Sequence, residues 1–122
     1  MKKTVLWMLA LLIHPGVQAA SDLNAGKVLF TQRCGNCHSV GPAARSGFGP
    51  HLNGLFGRRA GALKDYNYSP AMQTSDVVWT RETVTAFLAD PDEVVPGTKM
   101  RFWGISDKQR VEKLLDYLEL HQ

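Results

Sequence analysis

The chain has 122 residues, which is enough for one domain and too few for a second. Its 14 lysines and arginines and 11 aspartates and glutamates give a formal charge of +3, and the basic residues are scattered along the chain. Because no stripe of basic and aromatic residues is present, the sequence excludes a nucleic-acid-binding surface.

The first 19 residues have the pattern of a secretory signal peptide. Two lysines follow the initial methionine, an apolar run covers residues 5–13, and Ala19 is the small residue expected before a cleavage site. The apolar run is too short to span a bilayer, and an uncleaved anchor is the alternative. We therefore predict a signal peptide at residues 1–19, a single domain at residues 20–122 and export to the periplasm. Removing two lysines lowers the formal charge to +1.

A first helix is predicted from Ser21 or Asp22, either of which is a suitable N-cap, to the residues just before Cys34. Phe30 follows the helical spacing of apolar residues in this segment. Gly26 has no side chain and would let another helix approach closely.

The sequence Cys34-Gly35-Asn36-Cys37-His38 follows this helix. Two thiols separated by two residues, with a histidine directly after the second, is the spacing that attaches a c-type haem. A redox dithiol would need a preceding strand, and a zinc site would need four ligands, whereas the chain has two cysteines. The motif predicts one haem c bound covalently through Cys34 and Cys37, with its iron bound by His38.

The rest of the chain predicts one long loop and three helices. Residues 39–67 are rich in glycine and proline, and a loop of this length is acceptable where it encloses a ligand. A short helix follows the N-cap Ser69, a second helix begins at Thr80 and is ended by Pro91, and a capping box at residues 106–109 opens the last helix. Apolar residues share one face of the two longer helices: Val84, Phe87, Leu88, Val111, Leu114, Leu115 and Leu118. No alternating strand pattern is present, so the predicted fold class is all-α, with three to five helices and long loops.

A haem iron held by one histidine has a second axial position, for which the domain offers four candidates. Met100 is favoured because the turn-forming residues 96–100 deliver its thioether at the end of a loop. Met72 lies on a short helix and is expected to pack, His51 has no tether of its own, and His121 is near a terminus. Since most methionines simply fill a core, the residues alone leave these alternatives open.

The chain resembles the class I cytochromes c, close to bacterial cytochrome c2 and mitochondrial cytochrome c, over residues 26–118. Several motifs of that family occur in order: Cys34-Gly35-Asn36-Cys37-His38, Gly49-Pro50-His51-Leu52-Asn53-Gly54-Leu55-Phe56-Gly57-Arg58, Tyr68-Ser69, Trp79, Pro96-Gly97-Thr98-Lys99-Met100 and Leu114-Leu115-Asp116-Tyr117-Leu118. The resemblance implies the cytochrome c fold, with loops wrapped around one haem, and it implies that Met100 is the sixth ligand of the iron.

The resemblance also implies roles for residues around the haem. The carbonyl of Pro50 is expected to accept a hydrogen bond from the His38 ring nitrogen that does not bind iron. Arg58, Tyr68 and Trp79 match family residues around the haem propionates, and each can donate a hydrogen bond to a carboxylate. A close contact between the first and last helices is implied at four positions: Gly26, Phe30, Leu114 and Tyr117.

Some positions depart from the family pattern. Phe87 stands where a tyrosine commonly reaches the methionine sulfur, and Met72 replaces a usual polar residue, so we expect the Met100 sulfur to lack a hydrogen-bond donor. Asp92 and Glu93 stand where many relatives have lysines, which argues against a strongly basic docking surface.

The predicted function is that of a soluble periplasmic one-electron carrier, not an enzyme. It would be a monomer that docks transiently on membrane or periplasmic redox proteins and has no small-molecule substrate. Arg33, Lys99 and Arg101 flank the expected haem edge and could steer docking. Two alternatives are a small peroxidase-like enzyme, in which Met100 is labile, and a dedicated subunit of one oxidoreductase complex, for which Phe102 and Trp103 are a hint.

Overall fold

The computed structural model describes residues 15–122. It contains five helices: α1 (Pro15–Arg33), α2 (Pro70–Gln73), α3 (Arg81–Ala89), α4 (Pro91–Val94) and α5 (Lys108–Glu119). Within this range no β-strand is present, and a single antiparallel bridge joins Arg59 to Val78. These elements confirm the predicted all-α class.

The N-terminal part of the predicted signal peptide, residues 1–14, lies outside the described residues, so the signal peptide stays a prediction. Among the helices that are described, none combines the length and the apolar character needed to cross a membrane.

Helix α1 begins earlier than the sequence predicts. An N-cap at Ser21 or Asp22 is wrong, because the helix already starts at Pro15 and no second proline interrupts it before Arg33. The Asp22 carboxylate instead lies 3.5 Å from Nζ of Lys113 on α5. The predicted end of α1, just before the cysteine motif, is correct.

Helices α1 and α5 pack closely at Gly26. A β-carbon at this position would lie 2.0 Å from the carbonyl oxygen of Lys113 and 2.9 Å from Cβ of Tyr117. Beside this contact, the rings of Phe30 and Tyr117 lie 5.6 Å apart between centroids. The missing side chain at Gly26 therefore lets the backbones of the two helices come together, as the resemblance implies.

The middle helices follow local capping signals. The Ser69 hydroxyl caps α2 by accepting a hydrogen bond from the amide of Met72, at 3.1 Å. Thr80 caps α3 through reciprocal hydrogen bonds with Thr83, and α3 ends at Ala89, as predicted. The short helix α4 was not predicted.

Helix α4 begins at the proline that ends α3. Pro91 occupies its first turn, where a missing amide proton costs nothing, and the Asp90 side chain accepts a hydrogen bond from the amide of Glu93 at 3.2 Å. Pro91 therefore both stops one helix and starts the next.

Helix α5 is capped by Asp107, not by a box that starts at Ser106. The Asp107 carboxylate accepts a hydrogen bond from the amide of Arg110 at 3.1 Å, so the predicted capping box is wrong and a single cap lies one residue later. Its predicted apolar stripe is buried in the core: Val111, Leu114, Leu115 and Leu118.

A network of ion pairs joins α3 to α5. The Arg81 guanidinium lies 2.6 Å from the Glu112 carboxylate, 2.9 Å from Asp116 and 3.0 Å from Glu119. Partial burial would lower the pKa of Arg81, but the hydrogen bonds that its guanidinium donates to these three carboxylates raise the pKa above its ordinary value. The first turn of α3 is thereby tied to the outer face of α5.

Residues 39–67 form the long predicted loop, which is fixed to its surroundings by backbone hydrogen bonds. The amide of Gly49 donates to the carbonyl of Cys37 at 2.8 Å, and the amide of Gly54 donates to the carbonyl of His121 at 2.8 Å. The loop therefore runs between the cysteine turn and the C-terminus and covers one side of a cavity.

Candidate functional site

A cavity of about 690 Å³ lies between the helices and the long loop, and we call it the central cavity. Cys34, Cys37, His38 and Met100 all line it. Most other lining side chains are apolar, and they include Leu52, Leu55, Val84, Leu88, Leu114 and Leu118. Its size is typical of a cofactor site, for which volumes of about 300–1,000 Å³ are usual. A smaller cavity of about 310 Å³ between α1 and α5 contains none of the four candidate residues.

The cysteine motif continues the helical path of α1 by one turn. The amide of Cys34 donates to the carbonyl of Phe30 at 2.8 Å, and the amides of Cys37 and His38 donate to the carbonyl of Cys34 at 3.0 and 2.9 Å. Burial raises the pKa of the Cys34 thiol to about 11, although neighbouring Arg33 lowers it. The two cysteines form no disulfide.

His38 is held in a defined orientation. Its Nδ1 atom lies 2.7 Å from the carbonyl oxygen of Pro50, the contact that the resemblance implies. Burial lowers the pKa of the His38 imidazole, the hydrogen bond to Pro50 raises it in part, and nearby Arg58 lowers it again. A neutral ring whose Nδ1 donates to Pro50 keeps the lone pair of Nε2 available for a metal.

Met100 reaches the central cavity at the end of a tight loop. Gly97 has a φ of 89°, a left-handed conformation that favours glycine, and the amide of Thr98 closes the turn on the carbonyl of Val95 at 3.0 Å. The buried Thr98 hydroxyl then accepts a hydrogen bond from the amide of Met100 at 3.3 Å.

The other candidates for the second axial position separate into two groups. Met72 is buried and also lines the central cavity, so it shares the site with Met100. His51 and His121 are not among the residues that line it. The structure therefore brings two of the four candidate side chains to the cavity that contains His38.

Arg58, Tyr68 and Trp79 also line the central cavity. The Arg58 guanidinium is partly buried and donates to the carbonyls of Asn53 and His51, each at 3.1 Å. Burial lowers the pKa of Arg58, and its neighbours Tyr68 and Asp65 raise it. The amide of Trp79 donates to the carbonyl of Arg58 at 2.9 Å, which fixes these two residues side by side.

Phe87 and Met72, two of the positions that depart from the pattern of the resembled family, line the same cavity. The Phe87 ring packs on Trp79 with centroids 5.0 Å apart and an interplanar angle of 64°. Phe87 and Met72 are both buried cavity residues, and neither side chain carries a strong hydrogen-bond donor. The lining of the cavity is therefore apolar at both positions.

We call the basic and aromatic residues at the edge of the lining the cavity mouth: Phe48, Lys99 and Arg101 are exposed, and Arg33 and Phe102 are partly buried. The three basic residues thus all line the central cavity, and their role in docking stays a prediction. Sequence reasoning missed Phe48, an exposed aromatic residue in the glycine-rich loop, and its place beside glycines gave no periodic signal. It also missed Asp65, the acidic residue of the lining.

The residues present fit a covalently bound haem c. Two thiols lie on one turn, an oriented imidazole follows them, and a thioether lies in the same apolar cavity. Gly49 adds a steric argument, because a β-carbon there would lie 2.8 Å from Cε1 of His38. The loop thus passes directly against the imidazole that is the candidate iron ligand.

Comparisons with known proteins agree over nearly the whole chain. A family model described as Cytochrome c matches residues 23–121. Cytochrome c2 of Blastochloris viridis is 40% identical over 119 residues, which cover 98% of this chain and 93% of that protein. Cytochrome c-550 of Nitrobacter winogradskyi is 41% identical over 97 residues, covering 80% and 88%. Cytochrome c type-1 of Ascaris suum is 42% identical over 98 residues, covering 80% and 87%.

Proposed function

The chain belongs to the cytochrome c family, as a class I c-type cytochrome, and we propose that it is a diffusible periplasmic carrier that shuttles single electrons between redox proteins. Members of this family bind one covalent haem c and are electron carriers, not enzymes. The haem iron supplies the chemistry, the gain and loss of one electron. The peroxidase-like alternative is therefore set aside.

The observation that carries this proposal is the convergence of four side chains on the central cavity. Cys34 and Cys37 would hold the haem through thioether bonds, and His38 and Met100 would occupy both axial positions of its iron. With both positions filled by side chains, the chain leaves no iron site for oxygen or a small substrate. Electron transfer is the remaining role.

The proposed ligands also adjust how strongly the site favours the reduced form. A thioether from Met100 donates little charge, so a histidine and methionine pair raises the reduction potential relative to stronger donors. The apolar lining excludes water and disfavours an added positive charge. Arg58, with hydrogen-bond donors on Tyr68 and Trp79, would bind the haem propionates and offset their negative charge.

The proposed location is the periplasm, and the proposed partners are other redox proteins. Residues 1–19 would direct export and be removed, leaving a monomeric domain at residues 20–122. The bacterial relatives named cytochrome c2 and cytochrome c-550 support a periplasmic protein. The partners would be membrane or periplasmic redox proteins that meet the cavity mouth transiently.

An absorption spectrum of the ferric, haem-loaded protein tests the axial ligands. We expect the weak long-wavelength band of a methionine sulfur on ferric iron at neutral pH, together with reversible reduction. Met100→Ala should abolish the band, whereas Met72→Ala, in the same cavity, should retain it. A high-spin spectrum or fast cyanide binding in the unmodified protein would overturn the proposal. Mass spectrometry of the exported protein tests cleavage after Ala19.

A further inference from the structure

Two aromatic side chains at the edge of the central cavity are almost fully exposed. Phe48 is 86% exposed and belongs to the cavity mouth, and Trp103 is 91% exposed and directly follows Phe102 of the mouth. Large aromatic side chains expose much apolar area to water, and they are enriched where one protein binds another. Two of them beside the opening of one cavity therefore indicate a contact surface.

Two hydrogen bonds hold the backbone from the Trp103 carbonyl to the amide of Ile105. The Arg33 guanidinium donates to the Trp103 carbonyl at 2.6 Å, and the amide of Ile105 donates to the carbonyl of Leu88 at 2.7 Å. Between them, a β-carbon on Gly104 would lie 2.2 Å from a carbonyl oxygen of α3. The indole is thus presented to solvent from an ordered segment, so binding would cost little backbone entropy.

Phe48 is presented in a similar way. Its carbonyl accepts a hydrogen bond from the Tyr66 hydroxyl at 3.1 Å. The two glycines next to Phe48 in the chain are also hydrogen-bonded. The amide of Gly47 donates to the carbonyl of Gly49 at 2.9 Å, and the amide of Gly49 donates to the carbonyl of Cys37. The backbone at both aromatic residues is hydrogen-bonded, so the exposure of their side chains does not result from an unpaired backbone.

The charges around these aromatics favour a partner that carries carboxylates. Arg33, Lys99 and Arg101 belong to the mouth, whereas two acidic residues lie at or near it, Asp65 in the lining and Asp92 at 3.8 Å from Arg101. Arg33 lies over the Phe102 ring, 5.2 Å from its centroid, so a cation and an aromatic ring of the mouth are in direct contact. A second copy of this chain would bring like charges together. A lipid surface would offer no centre to accept the electron.

We propose that Phe48 and Trp103 are paired anchors that pack on an apolar patch, rimmed by carboxylates, on a partner redox protein. The proposal rests on the carrier function argued above. The cations of the mouth would speed the encounter, and the two rings would set the lifetime of the complex. The aromatic rings would thereby hold the partner next to the opening of the central cavity.

A surface of defined chemistry can stand for such a partner. The haem-loaded protein is adsorbed on gold electrodes coated with a mixture of carboxylate-ended and methyl-ended alkanethiols, and on electrodes coated with the carboxylate form alone. We expect Trp103→Ala to leave the mixed surface about tenfold faster than the unmodified protein, since buried aromatic anchors dominate contact energies. On the pure carboxylate surface its release should be nearly unchanged. Phe48→Ala should shift release in the same direction.

Leu120→Ala is the matched control, because Leu120 is 60% exposed and is not part of the central cavity lining. The Leu120→Ala variant should be released from both electrode surfaces at the same rate as the unmodified protein. If Trp103→Ala leaves the mixed surface at the unmodified rate, or if Leu120→Ala changes release equally, the anchor proposal is wrong. Spectra and solution reduction potentials of the same samples test the carrier function separately, and Trp103→Ala should leave both unchanged.

A second copy of this chain and a membrane are two other binding partners that this surface could have, and independent measurements test each. Dimerisation in sedimentation velocity that Trp103→Ala abolishes would assign the surface to a second copy. Binding to vesicles of phosphatidylcholine and phosphatidylglycerol that Trp103→Ala abolishes would assign it to a membrane. Either result would overturn the proposed protein partner, and we expect neither.

Discussion

A β-carbon placed on Gly49 would lie 2.8 Å from Cε1 and 3.0 Å from Nδ1 of the His38 ring. The same ring donates to Pro50 at 2.7 Å, so the residue beside Gly49 in the chain also fixes the imidazole. The long loop therefore does more than cover the central cavity. It sets the position of the proposed iron ligand by contact on one side and by a hydrogen bond on the other.

We predict that Gly49→Ala destabilises the haem-loaded protein by about 1–3 kcal/mol, because the added methyl group must displace the His38 ring or the loop. Denaturant unfolding measures the change. Gly47→Ala is a matched control two residues away, since a β-carbon there meets no atom within 4 Å. Equal effects of the two substitutions would show that the contact with His38 does not constrain the loop.

The features that the sequence predicted well depend on residues close together in the chain. The spacing of Cys34, Cys37 and His38 identifies the cofactor because one helical turn brings them to one side. Ser69 and Thr80 predict helix starts because a capping side chain bonds to an amide two or three residues later.

The features that sequence reasoning missed depend on distant residues. The hydrogen bond from Arg33 to the Trp103 carbonyl joins residues 70 positions apart, and no local pattern predicts it. Arg81 has ordinary neighbours in the sequence and meets its three carboxylates only because α3 packs on α5. The wrong N-cap at Ser21 has a different cause, because a capping residue is also tolerated inside a helix when no breaker ends the preceding turn.

Phe87→Tyr tests whether the Met100 sulfur lacks a donor. Both residues line the central cavity, and Phe87 packs on Trp79, so the substitution adds a hydroxyl to an apolar surface. A hydrogen bond to the sulfur would withdraw charge from it and raise the reduction potential. Only the difference in hydrogen-bond energy between the two oxidation states shifts the potential, so a neutral hydrogen bond of about 0.5–1.5 kcal/mol sets an upper limit of about 20–65 mV for one electron.

Voltammetry measures the potential, and an alkaline titration of the long-wavelength band measures the strength of the Met100 bond. Phe56→Tyr is the control, because Phe56 is partly buried and does not line the central cavity. An unchanged potential and unchanged ligand exchange in Phe87→Tyr would contradict the prediction.

Replacing Arg81 by methionine should lower the free energy of unfolding by about 1 kcal/mol, since it removes the cation that three carboxylates of α5 share. The Arg81 side chain is 33% exposed, so water screens part of the attraction, and about 1 M salt should shrink the difference further. Arg59→Met removes an isolated pair with Asp76 whose side chains are 60% and 94% exposed, and it should change stability by less than about 0.5 kcal/mol. A larger loss in Arg59→Met than in Arg81→Met would refute the importance of the network.

Electrostatic steering at the cavity mouth is best tested at Arg101. Arg33 holds the Trp103 carbonyl and contacts Phe102, so its replacement would disturb structure as well as charge. The Arg101 side chain is 83% exposed, and its nearest acidic partner, Asp92, lies at 3.8 Å. A substitution at Arg101 therefore changes mainly the charge of the mouth.

We predict that Arg101→Glu slows oxidation of the ferrous protein by hexacyanoferrate(III), a small anion, by about three- to tenfold at low ionic strength. The two proteins should converge at about 0.5 M salt, where the Debye length falls to a few ångströms. Lys108→Glu makes the same change of charge at the start of α5, outside the central cavity lining, and should have a much smaller effect. Stopped-flow rates over a range of salt concentrations measure both. If the Arg101 and Lys108 variants slow oxidation equally, the reaction responds to the net charge of the protein, and the cavity mouth does not steer it.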